Sequence, residues 1–174
     1  PRRLSTIAQR VHRLTCIFAE GLRRQGGDII NKTFFDTVTV NVVGKAEIVC
    51  QRAREAGFNL RQDDEGTVGV SFDETVRPKD LVSLWRVFSG NSVEPLSVSE
   101  LDTLRLDGLA ETMQRKTPFL SHPTFNSYHS ETEMMRYLRR LQEKDIALDR
   151  SMIPLGSCTM KLNAATEMIP ITWP

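Results

Sequence analysis

The sequence predicts an α/β fold of the α+β kind. A small, mainly antiparallel sheet of three or four strands is covered by helices and followed by a connector, one long helix and an extended loop. Three observations carry this. Ile7, Val11, Leu14, Phe18 and Leu22 recur at spacings of three and four, the period of a helix with one buried stripe. Thr37-Val38-Thr39-Val40-Asn41-Val42 alternates β-branched and polar side chains, the period of a half-buried strand. Pro78 precedes Leu81, Leu84, Trp85 and Phe88, a second helical stripe.

Taken in order, residues 5–25 read as an amphipathic helix closed by Gly26-Gly27, with Arg10, Arg13 and Glu20 on its polar face. The strand at 37–42 follows, with its valines on one face. Residues 45–55 place Ala46, Val49 and Ala53 on one side of a short helix ended by Gly57. Phe58-Asn59-Leu60 is a short extended piece leading to a strand at 68–72, after which Pro78 opens the third helix. Residues 1–90 thus form one small layered unit. Residues 91–124, rich in Ser, Gly, Asn, Pro and acidic side chains, form a connector with one short helical candidate at 99–106, and Pro118 and Pro123 keep its end extended. In 125–174, Ser130-Glu131-Thr132-Glu133 is a capping box for a strong helix. On that helix Met134, Leu138 and Leu141 face one way, and Arg139, Arg140 and Lys144 gather where the helix dipole favours cations. Its apolar face calls for a partner, either the first unit or another copy of the chain.

Composition removes several function classes. A net charge of +1 with dispersed arginines gives no field to hold nucleic acid. No apolar run approaches the ~20 residues needed to span a bilayer, so the expectation is a soluble, cytoplasmic chain without a membrane partner. Cys16, Cys50 and Cys158 are too few and too widely spaced for a disulfide framework or a zinc site. Cys16 and Cys50 fall on predicted helices as small hydrophobes, whereas Cys158 sits in a polar loop.

That loop is the most informative stretch. Met152-Ile153-Pro154-Leu155-Gly156-Ser157-Cys158-Thr159-Met160-Lys161-Leu162-Asn163 has no packing rationale in a helix or strand. Pro154 fixes the backbone, Gly156 permits close approach to a ligand, and Ser157, Cys158, Thr159, Lys161 and Asn163 offer donors and one cation. Around it stand Phe125-Asn126-Ser127-Tyr128-His129-Ser130-Glu131-Thr132-Glu133 and Ile169-Pro170-Ile171-Thr172-Trp173-Pro174. With these words the chain resembles the glycine dehydrogenase (decarboxylating) family, the pyridoxal-phosphate-dependent P-proteins of the glycine cleavage system. The resemblance is strongest over 119–174. It is looser over 7–88, where Ala8-Gln9-Arg10-Val11-His12-Arg13-Leu14-Thr15 and Phe34-Phe35-Asp36-Thr37-Val38 carry it, and faint over 91–117.

The resemblance implies that this is an internal piece of a longer protein made of two aminotransferase-like halves. The chain begins at Pro1 without an initiator Met and stops inside a family word, which agrees with that expectation. Residues 1–90 would be the small C-terminal aminotransferase-type subdomain of the first half, and residues 125–174 would open the second, cofactor-binding half. The intact bacterial enzyme would decarboxylate glycine on pyridoxal phosphate and pass the aminomethyl group to the oxidised lipoyl arm of the H-protein, as a cytoplasmic dimer. The family's Schiff-base lysine lies in a His-Lys pair, and no such pair occurs here. By that reading the piece holds no catalytic residue and is inactive alone. Ser157 and Thr159, with the amides freed by Gly156, would bind a carboxylate or phosphate. Cys158, Lys161 and Asn163 are further contact candidates, Lys161 as an anion contact or a solvated cation. His129 would either meet the cofactor ring or order the adjoining helix terminus. The competing reading is a regulatory domain resembling the amino-acid-binding ACT family, which accounts for the first 95 residues only.

Overall fold

The computed structural model describes residues 2–90, 96–144 and 169–173. They divide into two compact units, Pro1–Phe119 and Leu120–Pro174. In the first, helices α1 (Arg2–Arg24), α2 (Ala46–Glu55) and α3 (Pro78–Ser89) accompany strands β1 (Asp28–Ile29), β2 (Thr37–Asn41), β3 (Arg61–Gln62) and β4 (Thr67–Ser71), followed by the short helix α4 (Val98–Asp102). The strands form one antiparallel sheet in the order β1-β2-β4-β3. The small antiparallel α/β architecture expected from the sequence is therefore present.

The β2–β4 register sets the core. Val38 lies opposite Val70 and Val40 opposite Val68, and all four are buried. Thr37, Thr39 and Asn41 occupy the other face and are half-buried, as the alternation required. Val38, Val40 and Val70 join α1 and α3 in the main apolar cluster, while Val68 meets Ala46, Val49, Cys50 and Ala53 of α2.

On α1 the buried stripe is Val11, Leu14, Phe18 and Leu22. Ile7, expected to continue it, is exposed on the second turn of a helix that begins at Arg2. Gly26 closes the helix with φ +81°, its N–H donating to the Arg23 carbonyl while Gly27 N–H donates to Leu22 at 2.8 Å. At Gly27 a Cβ would stand 2.5 Å from Leu22 Cγ, so both glycines have separate reasons. Trp85, 1% exposed, is the largest fully buried side chain of α3.

Residues 96–109 lie against α1. Ser97 caps α4 through its side chain and Leu101 enters the core. Arg13 Nε donates to Asp102 Oδ1 at 2.7 Å and its Nη2 to the Leu104 carbonyl at 2.8 Å. Phe34 N–H reaches the Gly108 carbonyl at 2.8 Å, and a Cβ on Gly108 would strike the Phe34 ring at 2.6 Å. Polar contacts thus act together with Leu101 and the partly buried Leu96, Val98, Leu104 and Leu106, which pack on the same core.

The second unit is described from a 3-10 turn, Pro123–Asn126, helix α5 (Glu131–Gln142) and the turn Ile169–Thr172. Met134, Leu138 and Leu141 of α5 are 42%, 56% and 42% exposed.

Candidate functional site

The sequence places chemistry in two words, 125–133 and 152–163. Ser157, Cys158, Thr159, Lys161 and Asn163 lie outside the described residues, so the geometry of the candidate site begins from His129 and its surroundings.

Ser130 is the N-cap of α5. Its Oγ accepts from Glu133 N–H at 3.3 Å, while its own N–H donates to Glu133 Oε2 at 3.2 Å. That N–H, and then the Ser130 hydroxyl donating to the same Oε2 at 3.1 Å, hold the Glu133 carboxyl below its usual pKa. The preceding backbone is forced: Tyr128 adopts φ +61°, unusual for a residue with a Cβ. This conformation turns the Tyr128 ring back onto Tyr137, stacked at 4.2 Å between centroids with 12° between planes. Arg140 Nη2 donates to the Tyr128 hydroxyl at 2.8 Å, and its guanidinium lies over both rings. Beside this stack His129 Nε2 is 2.9 Å from the Asn126 carbonyl oxygen. A carbonyl only accepts, so Nε2 carries a proton there and the ring is committed to the turn before α5. Of the two roles read for His129, the described geometry contains the helix-ordering one.

A second constellation was not visible in the linear sequence. His12, on α1, stacks on Phe35 at 5.2 Å and is bounded by the 107–109 segment. Its Nδ1 lies 2.8 Å from the Phe35 carbonyl and must donate. Around Nε2 stand the Gly108 nitrogen at 3.4 Å, Asp107 Oδ1 at 3.3 Å and Cys16 Sγ at 3.5 Å. The Asp107 carboxyl is held below its usual pKa, first by the Leu109 backbone N–H and then by His12. Burial pushes the Cys16 thiol up. A buried, protonated thiol is a poor nucleophile, and Cys16 and Asp107 crowd the same ring nitrogen instead of opposite ones. This cluster therefore lacks the relay geometry of Cys-His catalysis. Its role is to seat the 107–109 segment on α1. The four-residue spacing of His12 and Cys16 on one helix face was the only clue to it.

No group of three or more His, Cys, Asp or Glu suited to a metal occurs among the described residues. None of the described helices is long and apolar enough to cross a membrane.

Comparison with known proteins bears on both words. Residues 1–88 match the family described as Glycine cleavage system P-protein. Over its whole length the chain is 52% identical to glycine dehydrogenase (decarboxylating) 2 of Pseudomonas putida, 48% to glycine dehydrogenase (decarboxylating) of Cupriavidus metallidurans and 51% to that of Serratia proteamaculans. In each case the match covers 100% of this chain and 18% of the relative, so the chain spans less than a fifth of the relatives' length. With half of the chain matched by the family, and relatives about half identical from end to end, the chain belongs to the glycine cleavage system P-protein family.

Proposed function

We propose that this chain is a structural segment of a glycine-decarboxylating enzyme, joining the end of one aminotransferase-like half to the opening of the next. The intact enzyme takes glycine and the oxidised lipoyl group of the H-protein, uses pyridoxal phosphate, and releases carbon dioxide and the aminomethylated H-protein. In this reading residues 1–90 close the first half, 91–124 connect, and 125–174 lead into the cofactor-binding half of a cytoplasmic dimer. The observation that carries the proposal is the identity of about one half to glycine dehydrogenases (decarboxylating) in matches that span the whole chain, together with the family match at 1–88.

The described residues do not themselves fit pyridoxal phosphate. Lys32, Lys45, Lys79, Lys116 and Lys144 are all exposed, and an amine becomes a nucleophile near neutral pH by desolvation or by a cationic neighbour in a closed site. His129 offers its Nε2 proton to Asn126. What the described residues do is mechanical. The α1–α3 core carries the sheet, and the Ser130–Glu133 box fixes where the chain enters α5. Ser157, Thr159 and their neighbours are proposed as the anion-binding part of this segment, with Cys158, Lys161 and Asn163 as flanking contacts.

The test is a graft. This chain replaces the corresponding stretch of the Pseudomonas putida relative, and exchange of glycine carboxyl with labelled bicarbonate is followed. Retention of exchange supports the proposal. A folded, cofactor-loaded graft without exchange overturns it. The chain alone, titrated with pyridoxal phosphate, is expected to give no adduct trapped by borohydride.

A further inference from the structure

We propose that His12 is a proton-operated switch that passes its ring nitrogen Nε2 between the Gly108 backbone and the Asp107 carboxylate, and thereby sets how residues 107–114 lie on α1. Its surroundings cannot all be satisfied in one protonation state. Nδ1, 2.8 Å from the Phe35 carbonyl oxygen, holds a proton throughout. Nε2 faces a backbone donor, Gly108 N–H, at 3.4 Å and a carboxylate acceptor, Asp107 Oδ1, at 3.3 Å. A ring nitrogen either accepts or donates. The neutral imidazole takes the Gly108 hydrogen bond and turns its lone pair on the carboxylate. The imidazolium donates to Asp107 and sets its N–H against the N–H of Gly108. Both distances are longer than the one at Nδ1, as befits a nitrogen shared by incompatible partners.

The ring itself is held. It stacks on Phe35 with 6° between planes, and its side chain is only 16% exposed. A change of proton therefore acts on the segment opposite, and Asp107 carries it outward. Oδ1 of Asp107 also accepts from Leu109 N–H at 2.9 Å, and Oδ2 accepts from Gln114 Nε2 at 2.9 Å. A carboxylate drawn toward His12 or pushed from it thus pulls on both ends of the turn Glu111–Met113. Leu109, Met113 and Gln114 line an apolar groove with Leu4, Ala8 and Phe35, so the same movement reshapes that groove.

The other charged and titratable groups around the pair leave the imidazole as the moving part. On α1 these are Cys16, with Sγ 3.5 Å from Nε2, and the Arg13 and Arg23 guanidiniums; beside Asp107 stands Arg105. The loop before β2 contributes the Phe34 and Phe35 rings and a carbonyl, without a charge. Burial keeps the proton on Cys16, a weak donor and weak acceptor that suits either state of the ring. Asp107 is ionised because the Leu109 N–H and His12 hold its pKa down, and the arginines stay charged. Histidine is the side-chain type that changes charge between about pH 5 and pH 8. The switch uses none of the residues at 125–133 or 152–163 and does not rest on the decarboxylase reading.

Nitrogen-15 NMR of the full chain, from about pH 5 to about pH 8, reads the two ring nitrogens and the amides together. Nδ1 is expected to stay protonated throughout and Nε2 to gain a proton on acidification. The Gly108 and Leu109 amides and the Gln114 side-chain amide should move with that same midpoint, Gly108 upfield as it loses its acceptor. His12→Gln is expected to make these signals independent of pH over the range. Asp107→Asn, at an exposed position, is expected to cut their displacement by about half or more, since a charge-assisted hydrogen bond is roughly twice as strong as a neutral one. An Nε2 that keeps one protonation state, or amides at 108–114 that do not follow its titration, overturns the proposal. So does a response that survives in His12→Gln. Where that variant fails to fold, Asp107→Asn decides alone, and an undiminished displacement there overturns the switch.

Discussion

Gly21 of α1 faces Trp85 of α3 so closely that a Cβ on Gly21 would fall 2.3 Å from the indole Cζ2. The same indole donates from Nε1 to the Phe18 carbonyl at 3.0 Å. A glycine inside a helix costs about 1 kcal/mol relative to alanine, so this position is held by packing against propensity. Gly21→Ala is expected to destabilise the first unit by about 1–3 kcal/mol, the range of an overpacked core. Denaturant titration checks it, and Trp85→Phe in the same chain should recover part of the loss because the smaller ring relieves the clash. A neutral or stabilising Gly21→Ala would mean that α1 and α3 do not approach as described.

The capping box offers a separable test in the second unit. Ser130 Oγ is the acceptor for Glu133 N–H, and an alanine leaves that donor without a protein partner. Ser130→Ala is expected to cost the helix about 1 kcal/mol. Amide exchange over the first turn of α5 should speed up, while exchange in α1 and β4 stays unchanged. Equal acceleration in both units would show that they unfold together and that the cap is not acting locally.

How much of this was legible in the linear chain follows from the range of each interaction. Helix periodicity and the Gly26-Gly27 stop located α1, and β-branched alternation located β2, because those patterns are local and regular. Strand β1 was missed: Asp28 and Ile29 are too few to show a period, and they pair with Asn41 and Val40 only because the α1 terminus turns them back. The short helix carrying Leu101 was read at 99–106, but the 107–109 segment gave no pattern. They are held by Arg13, His12 and Phe34, partners that only the fold brings near. Of the candidate site, the Ser130–Glu133 box was readable from four letters, while the commitment of His129 to Asn126 depended on the left-handed Tyr128 backbone.

The Asp107 carboxyl should leave a mark on acid stability. Its folded pKa is lowered by the Leu109 N–H and by His12, so the unfolded state binds its proton more readily. The stabilisation is therefore complete above the ordinary carboxylate pKa of about 3.9 and is lost as the pH falls below that through the lowered folded value. The group is half exposed, so solvent screening keeps the effect small. Asp107→Asn should flatten the loss of stability below about pH 4, read from denaturant midpoints, with little change at pH 7 in that slope. An unchanged acid slope would assign the low-pH loss to other carboxylates.

The loop at 152–163 carries the most direct test of function. If Ser157, Thr159 and the amides beside Gly156 bind the anionic end of substrate or cofactor, their hydroxyls act on a charge and contribute little to packing. In a full-length enzyme of the family bearing this sequence, Ser157→Ala with Thr159→Ala is expected to lower the rate of glycine–bicarbonate exchange by about 10²-fold, the scale of losing donors to a charged oxygen. The thermal midpoint should stay within the scatter of the parent. Restoration by Ser157→Thr with Thr159→Ser would separate a need for hydroxyls from a need for those exact side chains. Full exchange activity in the double alanine variant would take the loop out of the site.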